Sequence, residues 1–363
     1  MKLMLNCDLN NRILLAMLFL AIGMPSSSRE VEAEDAPRLI VVRQIWDQAP
    51  HSAFTDLIRY GDRWYCTFRE ANAHGGDGGV LRVLMSDDGE RWQSAAIVRL
   101  SFKELAELKL TIPPRGEAMD LRDPKLCVHP DGRLTLLAGL YYNDRHDVQS
   151  LVFFSRDGQD WSKPLPVAEH QYWLWRITWH KGKAYGVGRV PSKRVPRLYV
   201  SEDGHNFEVL TRDKDFFPQS PGPSEATLRF ADDDTALCLL RLNRVPGART
   251  HFAHLGTARP PYSEWTWKNL DMEIGGPNLI QIPDGRWIAA MRIYGKTSRN
   301  ENVRTALCWI DPIAGTAREF LTLPSGGDSS YPGLVWHDNI LWVSYYSSHE
   351  GKSAIYLASV QIR

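Results

Sequence analysis

The chain has 363 residues with 43 basic and 43 acidic side chains, so its formal net charge is zero. That balance, with no long run of like charge, argues against nucleic acid as a partner. Thirteen Trp, 27 Gly and 22 Pro suit many short strands joined by tight turns, and the length accommodates one large all-β domain.

Lys2 and Arg12 precede the apolar run Ile13–Met24, and a small-residue region follows to about Ala33. This order is that of a signal peptide over residues 1–33, too short for a comfortable membrane span. It predicts a secreted or periplasmic, soluble protein; an uncleaved run would instead be an N-terminal anchor. Cys7 would leave with the signal. Cys66, Cys127, Cys238 and Cys308 lie in strand-like apolar runs with neither CxxC pairing nor metal-ligand spacing, and read as buried thiols, with one disulfide the alternative in an oxidising compartment. No cofactor or metal is expected.

From about residue 36 to 363 the chain alternates short apolar runs with turn signals, and Lys103–Leu110 is the one obvious helical turn. One phrase recurs: an apolar strand, a polar turn, a second apolar strand. Taking the same place near each first strand's start gives Asp56, Asp123, Arg176, Glu225, Asn278 and Tyr331. Repetition at about 50 residues with several strands per unit predicts a six-bladed β-propeller, one blade per unit. Pairing Arg38–Asp47 with Ala354–Arg363 would close the ring and remove both free edges.

A second phrase, S-x-D-G-x-x-aromatic, occurs at Ser86–Trp92, Ser155–Trp161 and Ser201–Phe207. Gly supplies the turn's positive φ, Asp accepts backbone N–H groups, and the aromatic packs between sheets. These acids are structural.

Six units with such turns resemble the sialidase (neuraminidase) superfamily, where the turns are called Asp boxes or BNR repeats. The resemblance implies a Tyr nucleophile, a Glu that activates it, an Asp acid/base and three arginines for the substrate carboxylate. Tyr331 in SSYPGLV is similar to the nucleophile's context, with Pro332 where a Ser is usual. Glu225 in PSEATL is similar to the Glu partner, Arg241 to the second arginine, and Arg304 to the third, with Arg292 as competitor. Thr55 stands where the first arginine is expected, and Arg69 is the candidate substitute. Asp77 in HGGDGG is nearest to the acid/base position, with Asp56 as the alternative.

A propeller's first strands line its centre, so Asp56, Asp123, Arg176, Glu225, Asn278 and Tyr331 are expected at one mouth with Arg69, Glu70, His74, Arg241 and Arg292. Buried charges cost several kcal/mol unless paired, so such a ring reads as function rather than stability. Trp173 and Trp175, flanking Arg176, are candidates for stacking on a sugar. Three readings stay open. The first is a monomeric exo-glycoside hydrolase that removes a terminal acidic sugar from a glycan. The second is a glycosidase or lyase on a different acidic glycan, favoured by Thr55 and by the His51/Asp56/Arg69/Glu70/His74 cluster. The third is a non-catalytic carbohydrate-binding propeller.

Overall fold

Six antiparallel sheets account for the alternating runs: five have four strands and one has five. The computed structural model describes residues 36–75, 78–110, 119–142, 147–190, 196–218, 222–244, 251–295 and 302–363, and Pro37–Arg363 form one compact unit. The signal segment and Asp77 lie outside the described residues.

Each sheet is a blade whose strands follow chain order from the centre outward, except for the outermost strand of blade six. Blade one starts with His51–Tyr60 and blade two with Met119–Val128. Blade three starts with the broken pair Trp173–Leu174 and Thr178–His180, both on Lys183–Arg189. Blades four, five and six start with Pro223–Phe230, Ile274–Gln281 and Ser329–His337. Second strands are buried on both faces and correspondingly apolar, as in Trp287–Ile293 (WIAAMRI). The outermost strand of the same blade, Thr316–Thr322 (TAREFLT), lies between half-buried and exposed, and is correspondingly polar.

Adjacent blades bury separate apolar clusters between them. Leu81, Val83, Leu121, Leu136 and Leu151 fill the space between blades one and two, each at most 1 % exposed. Burial of such a side chain contributes about 2 kcal/mol. The ring is a six-bladed β-propeller, and Arg38–Trp46 closes it by pairing antiparallel with Ala354–Gln361, the third strand of blade six. The predicted helical turn is Phe102–Glu107, held at its start by a capping box between Ser101 and Glu104.

The three S-x-D-G turns make the expected bonds. Asp88 Oδ1 accepts from the backbone N–H groups of Glu90 and Arg91, Ser86 Oγ accepts from Gly89 N, and Trp92 Nε1 donates to the Gly89 carbonyl. Asp157 and Asp203 accept equivalent pairs, and burial is too slight to offset the backbone bonds that lower the Asp88 and Asp157 carboxyls. All four described cysteines are free thiols, with Cys127 partly exposed.

One irregularity positions the site. In five inner strands, two residues face a single residue of the second strand. The doubled pairs are Phe54-Thr55, Asp123-Pro124, Ser224-Glu225, Gly276-Pro277 and Tyr331-Pro332. Such β-bulges bend the strand and re-aim a side chain. Phe54, Asp123, Gly276 and Tyr331 hold φ of 65°, 53°, 53° and 51°. For the three non-glycine residues that backbone costs on the order of 1–3 kcal/mol each, a cost that clusters at functional sites.

Candidate active site

The bulges of blades four and six bring Tyr331 to Glu225: the phenol donates to Glu225 Oε1 at 2.8 Å. Arg241, opposite the Glu225 bulge, donates through Nη1 to both carboxylate oxygens at 2.8 and 2.7 Å, and lies 3.3 Å from the Tyr331 oxygen. All three are buried. Burial alone would push Glu225 up, but Arg241, Arg189 and the Tyr331 bond hold its carboxyl at about 2. Burial, and then the Glu225 charge, pushes the Tyr331 phenol well above its ordinary value. At rest, therefore, the shared proton sits on the phenol and the carboxylate is ionised.

The blade-two bulge contributes Asp123. Burial raises its carboxyl against the pull of Arg122 and Lys125, the Glu225 charge raises it further, and its Oδ1 is buried without a hydrogen-bond partner. The second strand of blade three ends at Arg189, whose guanidinium lies 5.5 Å over the Trp173 ring. Its Nε is buried without a partner, and among the described residues it makes no ion pair. Burial lowers the Arg189 pKa, while Glu225, Tyr331 and Asp123 act on it in the opposite sense.

Blade five contributes Arg292, 5.5 Å from the centre of the Tyr331 ring. It donates to the Ser329 carbonyl (2.7 Å), Tyr294 Oη (3.0 Å), Tyr346 Oη (2.8 Å) and Asp328 Oδ1 (3.1 Å). Phe54, Trp175 and Tyr346 surround the Tyr331 ring at 5.0, 5.7 and 5.9 Å between centroids. The Arg122 guanidinium lies over the Phe54 ring at 5.1 Å. Gly276 sits against Tyr331, where a Cβ would lie 2.5 Å from two of its ring atoms.

Other residues expected here lie elsewhere, for identifiable reasons. Strand register makes Asp56 and Asn278 the equivalents of Gly333, the residue directly after the bulge pair, and not of Tyr331. They therefore sit toward the hairpin side. Asp56 is gripped by Arg176 at 2.9–3.1 Å and accepts from Leu126 N. Asn278 accepts from Arg229 Nη2 at 2.9 Å and donates to the Pro332 carbonyl. Asp56, Arg176, Arg229 and Asn278 line a separate cavity of about 260 Å³.

Arg69 is fully buried in a bidentate pair with Asp120 at 2.6 and 3.0 Å, so it does not substitute for the missing arginine. Phe54 fills the centre at that strand instead. Glu70 binds Arg82 and the Trp46 indole, and Arg304 binds Glu319 at 2.6 and 2.9 Å, so of Arg292 and Arg304 it is Arg292 that lies beside Tyr331. Trp173 and Trp175 are 6 % and 3 % exposed, so they support the site from beneath rather than offer an open stacking face. His74 reaches Asp328, as does His51.

Arg189, Asp328 and Tyr346 were not singled out by the repeat. Arg189 was findable, because it ends the second strand of its unit as Arg292 does: Arg189 pairs with Trp173 and Arg292 with Gly275.

No family profile matches this chain, and no curated protein matches it by sequence. Solved structures do match in fold. A Dyadobacter fermentans protein of unknown function has 17% identity and a TM-score of 0.70, over 90% of this chain and all of that one. An α-L-arabinofuranosidase from Fusarium graminearum, in complex with an iminosugar inhibitor, has 13% identity and a TM-score of 0.65, over 89% of this chain and 98% of that one. Trypanosoma rangeli sialidase with sialic acid has 10% identity and a TM-score of 0.63, over 90% of this chain and 59% of that one. At these identities the likeness establishes the propeller fold.

Proposed function

We propose that this chain is an exo-acting glycoside hydrolase that removes a terminal acidic sugar with retention of configuration. The observation that carries the reading is the buried Tyr331–Glu225 contact of 2.8 Å, clamped by Arg241. An ordinary phenol, with a pKa of about 10, is a poor nucleophile near neutrality, and a neighbouring carboxylate is the means of taking its proton as it attacks. A tyrosine nucleophile is also the known alternative to paired carboxylates in glycoside cleavage.

Asp123, not Asp56, has the environment of the acid. Burial keeps its proton to higher pH, and no protein group occupies its Oδ1. It donates that proton to the leaving oxygen as the bond from that oxygen to the anomeric carbon breaks. The Tyr331 oxygen bonds to the anomeric carbon, and its proton passes to Glu225. In the second half, Asp123 takes a proton from water. The water oxygen displaces Tyr331, which recovers its proton from Glu225. Arg189, a buried guanidinium without an anionic partner among the described residues, is the group suited to a substrate carboxylate. Glycan-acting fold relatives support a carbohydrate substrate.

A second reading is a neutral terminal sugar. It is favoured by Thr55 where the resemblance expects an arginine, by Phe54 packed on the Tyr331 ring, and by Arg241 and Arg292 being engaged by protein acceptors. Methylumbelliferyl glycosides of sialic acid, hexuronic acids and L-arabinofuranose separate the two. The acidic reading predicts turnover of an acidic member, with KM raised at least tenfold in Arg189→Met. Turnover confined to the neutral member would overturn it. Inactivity on all of them, with retained glycan binding, would instead support a binding propeller.

Residues 1–33 carry the further proposal of export. N-terminal sequencing of the protein made in its native host should begin near residue 34, and an intact cytoplasmic product would refute it.

A further inference from the structure

We propose that His51, His74 and Asp328 form a binding site for a divalent transition metal of the zinc class at the edge of the Tyr331 centre. The inference stands independently of whether Tyr331 reacts. His51 Nε2 and His74 Nδ1 lie 3.0 and 2.6 Å from the same oxygen, Asp328 Oδ2. The three ligand atoms all fall within 4.8 Å of one another. Zinc bonds to nitrogen and carboxylate oxygen are about 2.0–2.2 Å, so shifts of well under a side-chain length place an ion among them. Two imidazoles and one carboxylate select zinc, iron, copper or nickel over the oxygen-seeking calcium and magnesium.

The surroundings are those of a supported ligand set. Asp328 Oδ1 accepts from Tyr346 Oη at 2.8 Å and from Arg292 Nη2 at 3.1 Å, which fixes the carboxylate plane and turns Oδ2 toward the imidazoles. Asp328 N donates to Ser348 Oγ, and Arg122 Nη2 donates to the His74 carbonyl, so both chain segments are tied down. His51 is 8 % exposed, and its Nδ1 is buried with no hydrogen-bond partner. Without an ion, His51 Nε2 donates to Asp328 Oδ2; a metal at Nε2 would move that proton to the unpartnered Nδ1.

His74 is the open side of the site, with 55% of its side chain exposed. Three protein ligands leave a fourth position for water or a ligand oxygen. The His74 ring lies 5.2 Å from Phe54, and Phe54 lies 5.0 Å from Tyr331, so a bound ion is one ring removed from the phenol. An ion there would fix a hydroxyl or carboxylate oxygen of a molecule seated over Tyr331.

The test is calorimetric titration of the chelator-treated full chain with Zn²⁺, supported by the visible spectrum of the Co²⁺ form and by thermal melting. The proposal expects saturation at one equivalent, Co²⁺ bands of a nitrogen–oxygen site and a raised Tm. His74→Ala, exposed enough to leave the fold intact, should weaken binding at least tenfold, whereas His337→Ala should leave it unchanged. Absence of a stoichiometric equivalent, or equal binding by the His74 variant, would overturn the proposal.

Discussion

Asp123 holds a left-handed backbone, a buried carboxyl and an unpartnered oxygen at once, and each is costly unless the group is used. Its pKa is raised by burial, so the acid form survives above the usual carboxylate range and catalysis should fall as pH rises through that raised value. Asp123→Asn should reduce turnover of glycosides with poor leaving groups by about 10²–10⁴-fold. On activated aryl glycosides, whose departure needs no proton, kcat/KM of the variant should recover and lose the alkaline decline, while kcat stays low because the second half lacks its base. A pH–rate profile with both leaving groups reads this out.

Glu225 works in the opposite sense. Its folded value of about 2 lies below the unfolded value of about 4.3, so its stabilisation is complete above the latter and fades as pH falls through 4 toward 2. The difference corresponds to about 3 kcal/mol. Glu225→Gln should melt at lower temperature than the parent at pH 7, and the gap should narrow below about pH 4 and close only toward about pH 2. A constant gap across that range would show that the Arg241 pair contributes nothing through charge.

At the scale of the element, the bulge does the positioning. Two residues facing one at the same level of five blades turn Tyr331, Glu225, Asp123 and Phe54 inward while the rest of each strand keeps its ladder. The repeat made Tyr331, Glu225, Asp123, Arg241 and Arg292 legible as residues that converge. It could not show the extra residue in each strand, so Asp56 and Asn278 were placed one level too high. Arg69 was misread for a related reason: its strand position matches those of Arg189 and Arg292, but Asp120 from the next blade captures it. Gly276 is the bulge residue that Tyr331 leans on. Gly276→Ala should keep the fold, since its φ of 53° costs only about 1–2 kcal/mol for a side chain. Its Cβ would displace the Tyr331 ring, so activity should fall at least a hundredfold while Tm drops by only about 2–8 °C. Near-normal activity would mean that the ring position does not matter.

For the whole molecule, closure is what brings residues 51 and 328, or 225 and 331, to one centre. The fold was legible because its punctuation is periodic: the strand–polar turn–strand phrase returns in every unit, the S-x-D-G turn in three, and the Arg38–Trp46 strand pairs with Ala354–Gln361. The His51–His74–Asp328 group was not legible as a unit, because ligands joined by ring closure leave no spacing in sequence. Deleting residues 37–46 would bare the edge of Ala354–Gln361 and part of the cluster containing Tyr356, Ala358 and Val360. Calorimetry should show a lower Tm with loss of a single cooperative transition, and light scattering should show association through the exposed edge.

The central claim is that the Tyr331 oxygen bonds to the anomeric carbon of the substrate sugar. Peptide mass spectrometry after reaction with a fluorinated glycosyl fluoride of the accepted sugar tests this directly. The account predicts one glycosyl group on the peptide carrying Tyr331, absent in Tyr331→Phe. A label on Asp123 or Glu225, or cleavage at the parent rate by Tyr331→Phe, would contradict it.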